Sequence, residues 1–156
     1  MSAARDRVDD LLAAAREAME RGSYAPYSNF NVGAAVLAEG EVFAGANIEN
    51  ASYPLSVCAE RHAVAAAVNA GKRAIDAVVV VTRAEEPTPP CGGCRQVLNE
   101  FGPKMLVMIE AAGGKRAEWT LPEILPHAFG PEDLAGSPEG SRSERERASG
   151  SPPAKG

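Results

Sequence analysis

The sequence predicts an α/β fold built on a mixed sheet. Three observations lead there. Strand-like segments alternate with segments of helical periodicity, in the order helix, hairpin, helix, strand, helix, strand, strand, short helix. Such alternation implies crossover connections and some parallel pairing. Ala77-Val78-Val79-Val80-Val81 is a β-branched run without polar alternation, as expected of a strand covered on both faces. Two strand-like segments also flank Glu39-Gly40, a hairpin turn that brings antiparallel pairing into the same sheet.

Each element has its own signal. Val8, Leu11, Leu12, Ala15 and Met19 recur at helical spacing, which predicts an amphipathic helix over 4–21 ended by Gly22. Residues 24–29 carry Pro26, Ser28 and Asn29 and read as a loop. Residues 31–38 and 41–46 are the hairpin strands, and 47–50 leave the sheet. A second helix is predicted from about Val57 to Ala70, with Gly71 as its stop. The Pro-rich loop 85–90 precedes a third helix that runs from Cys91 to about Phe101. Strands follow at 105–110 and 116–120 around Gly113-Gly114, then a short helix at 121–125.

From Gly136 onward the chain is mostly Ser, Gly, Pro, Glu and Arg, with no large apolar residue. Such a segment buries too little surface to offset its ordering entropy. The expected organisation is one domain over 1–135 and a disordered tail over 136–156.

Composition narrows the function. The 156 residues are 45% hydrophobic, enough for a core, with a formal net charge of −5. The tail is slightly basic, so the body is the more acidic part. That balance argues against nucleic acid as a partner, because such binding rests on Lys and Arg at phosphates. A small, weakly charged substrate fits better. The three cysteines are an odd number, which suits a metal or a reactive thiol more than a disulfide framework. A reducing, cytoplasmic location is expected. No apolar signal-like region follows Met1, and the longest strongly apolar run is far too short to span a bilayer, so no membrane partner is expected.

All the cysteines fall in two stretches, Cys58-Ala59-Glu60-Arg61 and Pro90-Cys91-Gly92-Gly93-Cys94. If the stretches meet, Cys58, Cys91 and Cys94 fill three positions of a tetrahedral Zn²⁺ and leave the fourth open, as a catalytic zinc requires. Glu60 remains as a free carboxylate able to carry protons from an acidified water to a substrate. The spacing resembles that of the zinc deaminases, where a Cys₃ set can replace His/Cys/Cys and the Glu is not a ligand. Three thiolates put excess negative charge on the ion. Both clusters sit at expected helix N-termini, whose partial positive charge offsets some of it. Arg61 is expected to tune the metal by a charge-assisted bond to a thiolate.

The match extends further. Tyr27-Ser28-Asn29-Phe30-Asn31-Val32-Gly33-Ala34, Asn47-Ile48-Glu49-Asn50-Ala51-Ser52-Tyr53-Pro54-Leu55, the two cysteine stretches (the second extended by Arg95-Gln96-Val97) and Leu125-Pro126-His127-Ala128-Phe129-Gly130-Pro131-Glu132-Asp133-Leu134 follow one another in order. Over about Leu11 to Leu134 the chain resembles the small homotetrameric cytidine deaminases of pyrimidine salvage. The resemblance implies a mixed five-stranded sheet between helices, in three αβα layers. It also implies hydrolysis of cytidine and deoxycytidine to uridine or deoxyuridine and ammonia, with one zinc per subunit. Cys58, Cys91 and Cys94 match the ligands and Glu60 the proton shuttle. Asn47 and Glu49 match residues that bind the ribose, especially its 3′-hydroxyl. Phe30 matches an aromatic against the pyrimidine, and Ala59 a position whose backbone meets the base. Phe129 matches an aromatic reaching into a neighbouring subunit's site, and Tyr53 a residue near the subunit boundary.

Other readings of the same residues stand beside this one. A Cys-x-x-Cys opening a helix after a strand also suits a thioredoxin-like redox pair. A structural zinc would need a fourth ligand, and His62 lies four residues after Cys58 on the same helical face. The blasticidin S deaminases share the two cysteine segments, which leaves a modified cytosine nucleoside as the alternative substrate.

Overall fold

The computed structural model describes residues 2–134, so the tail expected over 136–156 lies outside the described residues. Helices α1 (Ser2–Arg5) and α2 (Val8–Gly22) come first, then strands β1 (Val32–Ala38) and β2 (Glu41–Ala46). Helix α3 (Ala59–Asn69), strand β3 (Ile75–Thr82) and helix α4 (Gly92–Phe101) follow. Strands β4 (Leu106–Glu110) and β5 (Arg116–Thr120) and the short helix α5 (Leu121–Ile124) complete the fold. Single 3-10 turns lie at Tyr53–Leu55, Ala112–Gly114 and Pro131–Leu134.

The five strands form one sheet in the order β2-β1-β3-β4-β5. The β3–β4 pair is parallel and the other neighbours are antiparallel. Strand period decides the layers. Val36, Val78, Val80, Val107 and Ile109 pack with α3 and α4 on one face. Leu37, Val79, Val81, Leu106 and Met108 pack with Leu11, Leu12 and Ala15 of α2 on the other. Strand β3 is buried on both sides, as its valine run predicted.

Two glycines set the layer spacing. A Cβ on Gly33 would meet the Ala15 carbonyl oxygen at 2.0 Å, so α2 lies directly on β1. A Cβ on Gly45 would meet the Ala63 nitrogen at 2.7 Å, so α3 lies directly on β2. The helix carrying the first cysteine stretch is thereby seated close against the hairpin.

Two local details depart from the sequence reading. The first helix is broken at Asp6-Arg7 instead of running unbroken over 4–21. Arg7 adopts φ −104° and ψ 5°. Its guanidinium donates to Asp10 at 2.7 Å and to the Gly40 carbonyl oxygen at 3.1 Å. The segment after β2 does leave the sheet, yet Ile48 still makes isolated bridges to Tyr24 and to Val57. Those bridges bring the residue before Cys58 beside the 24–29 loop. Among the described residues, no helix is long and apolar enough to cross a membrane.

Candidate metal centre and binding cleft

Cys58 is the N-cap of α3 and Cys91 the N-cap of α4, each with extended backbone and a side chain that makes no capping hydrogen bond to its own helix. Cys94 lies in the first turn of α4 and is buried. The three Sγ atoms lie within 4.8 Å of one another. Tetrahedral Zn²⁺ with Zn–S near 2.3 Å requires sulfur separations of about 3.8 Å. The soft, all-sulfur donor set also suits this metal. The residues therefore fit one zinc ion. His62 is not in the cluster: its Nδ1 is bonded to the Ala46 carbonyl oxygen at 2.7 Å.

The thiols already behave as a shared set. A hydrogen bond from Cys94 holds the Cys58 thiol down to about 6, against the opposing effect of burial. The same bond, with burial added, pushes Cys94 up. The Arg61 charge contributes a smaller downward pull on Cys58, and the Arg61 side chain is exposed.

Glu60, in the first turn of α3, is only 5% exposed. Burial raises its pKa, and bonds from its own backbone N–H and from Cys94 oppose the rise only in part. A carboxyl group raised in this way holds a proton more readily than a free one, which suits a group that must both accept and return a proton.

Cys58, Cys91 and Glu60 open onto a cavity of about 220 Å³, with Cys94 buried behind them. Phe30, Asn47, Glu49 and Ala59 line it, together with Cys58, Glu60 and Cys91. Val32, Val80, Thr82, Thr88 and Pro89 also line it; they come from β1, β3 and the loop before Cys91, and of these only Val32 fell within a quoted motif. Tyr53 and Phe129 do not line the cavity within one chain and are 67% and 57% exposed.

Asn47 and Glu49 are held by the protein itself. The Val32 N–H can only donate, and it bonds Asn47 Oδ1 at 2.9 Å, which fixes the orientation of the amide. Ser23 Oγ donates to the same oxygen at 2.6 Å. Asn47 Nδ2 donates one hydrogen to the Phe30 carbonyl oxygen at 2.7 Å and keeps the other. Glu49 Oε2 accepts from Tyr27 N at 2.9 Å and from Ser28 N at 3.3 Å, and Oε1 accepts from Ser28 Oγ. Those bonds, the Ser28 hydroxyl foremost, hold the Glu49 carboxyl below its usual range. An ionised carboxylate has roughly four acceptor sites. The pair thus retains one donor on Asn47 and one acceptor on Glu49, the complement of a single hydroxyl group.

Sequence reasoning missed a further set. Arg95 donates from Nη1 to the Ile124 carbonyl oxygen at 2.7 Å as well as to Pro90. Gln96 Nε2 and Asn99 Nδ2 donate to the Phe129 carbonyl oxygen at 2.7 and 3.4 Å. One face of α4 therefore secures both the loop before Cys91 and the segment leading to Phe129. Only the position of Arg95 and Gln96 directly after Cys94 hinted at this.

The cytidine and deoxycytidylate deaminase zinc-binding region matches residues 6–110. The chain belongs to this deaminase family. A cytidine deaminase of Sporosarcina psychrophila is 45% identical over 130 residues, which is 82% of this chain and 95% of that one. One from Halalkalibacterium halodurans is 49% identical over 115 residues, 72% of this chain and 87% of its own length. The 1.6 Å crystal structure of cytidine deaminase from Burkholderia pseudomallei superposes with a TM-score of 0.74 at 45% identity, covering 78% of this chain and 98% of that one. The Mycobacterium tuberculosis cytidine deaminase structure gives 0.67 at 39% identity, covering 78% and 96%. The mixed five-stranded sheet with its helices is thus the deaminase-family fold, as expected.

Proposed function

We propose that this deaminase-family chain is a zinc-dependent cytidine deaminase that converts cytidine and deoxycytidine to uridine and deoxyuridine with release of ammonia. The observation that carries the reading is the buried Glu60 carboxyl beside the Cys58/Cys91/Cys94 set, inside the cavity lined by Asn47 and Glu49.

Cys58, Cys91 and Cys94 would hold a zinc ion, which would supply the Lewis acidity that makes water a nucleophile near neutral pH. Asn47 and Glu49 bind a sugar hydroxyl and so fix the nucleoside along the cavity. Phe30 covers the base, and the Ala59 backbone meets its edge. Glu60 takes a proton from the attacking water and returns it to the ring nitrogen. Glu60 then carries the second proton of that water from the new hydroxyl to the amine, which leaves as ammonia as the carbon–nitrogen bond breaks and the carbonyl of the product forms. One carboxyl acts first as base and then as acid, and its raised pKa supports that double role. Arg61 acts through its charge on Cys58 and touches no substrate.

The working form is a cytoplasmic homotetramer in which Phe129 closes a neighbouring subunit's site and Tyr53 lies at the boundary. The exposure of Tyr53, Leu55 and Phe129, all above half, supports a partner surface there.

The test is turnover of cytidine by the purified full chain, followed by ultraviolet absorbance and by ammonia release. Conversion by wild type is expected. A folded, zinc-loaded chain that leaves cytidine unchanged would move the reading to a modified cytosine nucleoside.

A further inference from the structure

Glu49 can read a substrate hydroxyl only if its carboxylate stays turned toward the cavity. The loop before β1 determines whether it does. Asn29 adopts φ 56°, a left-handed conformation that asparagine tolerates, and the chain doubles back there. The turn places the Phe30 N–H on Ser28 Oγ at 3.0 Å. That bond occupies a lone pair of the hydroxyl and directs its single proton elsewhere. The proton goes to Glu49 Oε1. Ser28 itself lines the cavity, in the same wall as Phe30 and Glu49.

We infer that Ser28 is a positioning residue for the nucleoside sugar, acting through Glu49: its hydroxyl, oriented by the Phe30 N–H, holds Glu49 Oε1 so that one acceptor site faces the cavity. The two backbone bonds from Tyr27 and Ser28 fix only Oε2, leaving the carboxylate free to turn about that oxygen if the hydroxyl is removed. The cost then falls on substrate binding. Cys58, Glu60, Cys91 and Cys94 make no hydrogen bond to Ser28, so the chemical step is spared.

This inference rests on the cytidine-deaminase reading, and the experiment separates the two. Wild type, Ser28→Ala, Ser28→Thr, Glu49→Ala and the Ser28→Ala/Glu49→Ala double variant are compared on cytidine, with zinc content measured for each. Ser28→Ala is expected to raise KM about tenfold with kcat within about twofold, the pattern of lost ground-state binding through one charge-assisted bond. Ser28→Thr keeps the hydroxyl and should stay within about threefold of wild type. In the Glu49→Ala background, Ser28→Ala should add less than about twofold, because the group it positions is gone. A normal KM for Ser28→Ala beside a raised KM for Glu49→Ala overturns the inference and leaves the deaminase reading standing. So does a serine effect that multiplies in full with that of Glu49→Ala. A wild type that does not turn over cytidine overturns both.

Discussion

Arg95 donates from Nε to the carbonyl oxygen of Pro90 at 2.7 Å, closing a ring of backbone around Cys91. Its other end reaches the Ile124 carbonyl, so a single guanidinium joins the cysteine loop to the end of α5. Lysine cannot span two such acceptors, because it presents a point charge instead of a planar fork. Arg95→Lys and Arg95→Ala should both speed zinc release to a chelator, the alanine variant by about tenfold or more. Release followed with a colorimetric zinc indicator checks this. Rates equal to wild type would mean that the loop is held without the arginine.

Ligand and proton shuttle should separate cleanly. Cys91→Ala removes a donor from the set and should lose zinc and turnover together. Glu60→Gln keeps all three sulfurs and should retain zinc while turnover falls by about 10² to 10⁴. Metal analysis beside the cytidine assay distinguishes them, and a near-normal rate in Glu60→Gln removes the shuttle assignment.

Gly45 offers a packing test away from the chemistry. The added methyl of Gly45→Ala would meet His62 Cβ at 2.6 Å and the Ala63 nitrogen at 2.7 Å, so α3 must lift from β2. Overpacking of this kind costs about 1–3 kcal/mol. A melting temperature lowered by several degrees is expected, at about 2–4 °C per kcal/mol for a domain of this size. An unchanged melting temperature would show that the helix moves freely.

Glu110 should give stability a pH dependence. The residue is 6% exposed, and its carboxylate accepts from Arg16 Nε and Arg116 Nε, both at 2.9 Å. Burial pushes its pKa up, but the two arginines outweigh it and leave the carboxyl below the usual range. A depressed carboxylate contributes stability that is fully present above its unfolded value, about 4.3, and lost as pH falls through the lower folded value. Both arginine side chains are nearly half exposed, at 47% and 45%, so solvent screens the pairs and Glu110→Gln should cost only about 1–2 kcal/mol. The gap in melting temperature between wild type and variant should be open near pH 6, begin to narrow below about pH 4 and close as pH falls through the lower folded value. A gap that persists in acid would assign the loss to packing instead of charge.

Much of this was legible in the sequence because local chemistry and tertiary environment agree. The valine run of β3 is buried on both faces because α2 and α3 cover it, and Glu39-Gly40 turns the chain with both φ angles positive, 50° and 83°. Cys58 and Glu60 drew attention through their spacing, and both lie at the start of α3 on one cavity. What stayed hidden depends on partners distant in the chain. Arg7 breaks the first helix by reaching the Gly40 carbonyl, a contact that no helical propensity encodes. Asn47 was read as facing substrate, yet most of its hydrogen-bonding capacity serves Ser23, Phe30 and Val32. Arg95 and Gln96 act on backbone carbonyls, which carry no side-chain identity and leave no trace in a motif.

Cys58 and Cys91 lie on opposite sides of a stretch that contains all of α3 and β3. An ion bound by both staples that stretch shut as a disulfide would. Closing a loop of about 33 residues removes roughly 3–4 kcal/mol of chain entropy from the unfolded state. The reaction centre is then also a cross-link, and a strong chelator should act on this chain as a denaturant as well as an inhibitor.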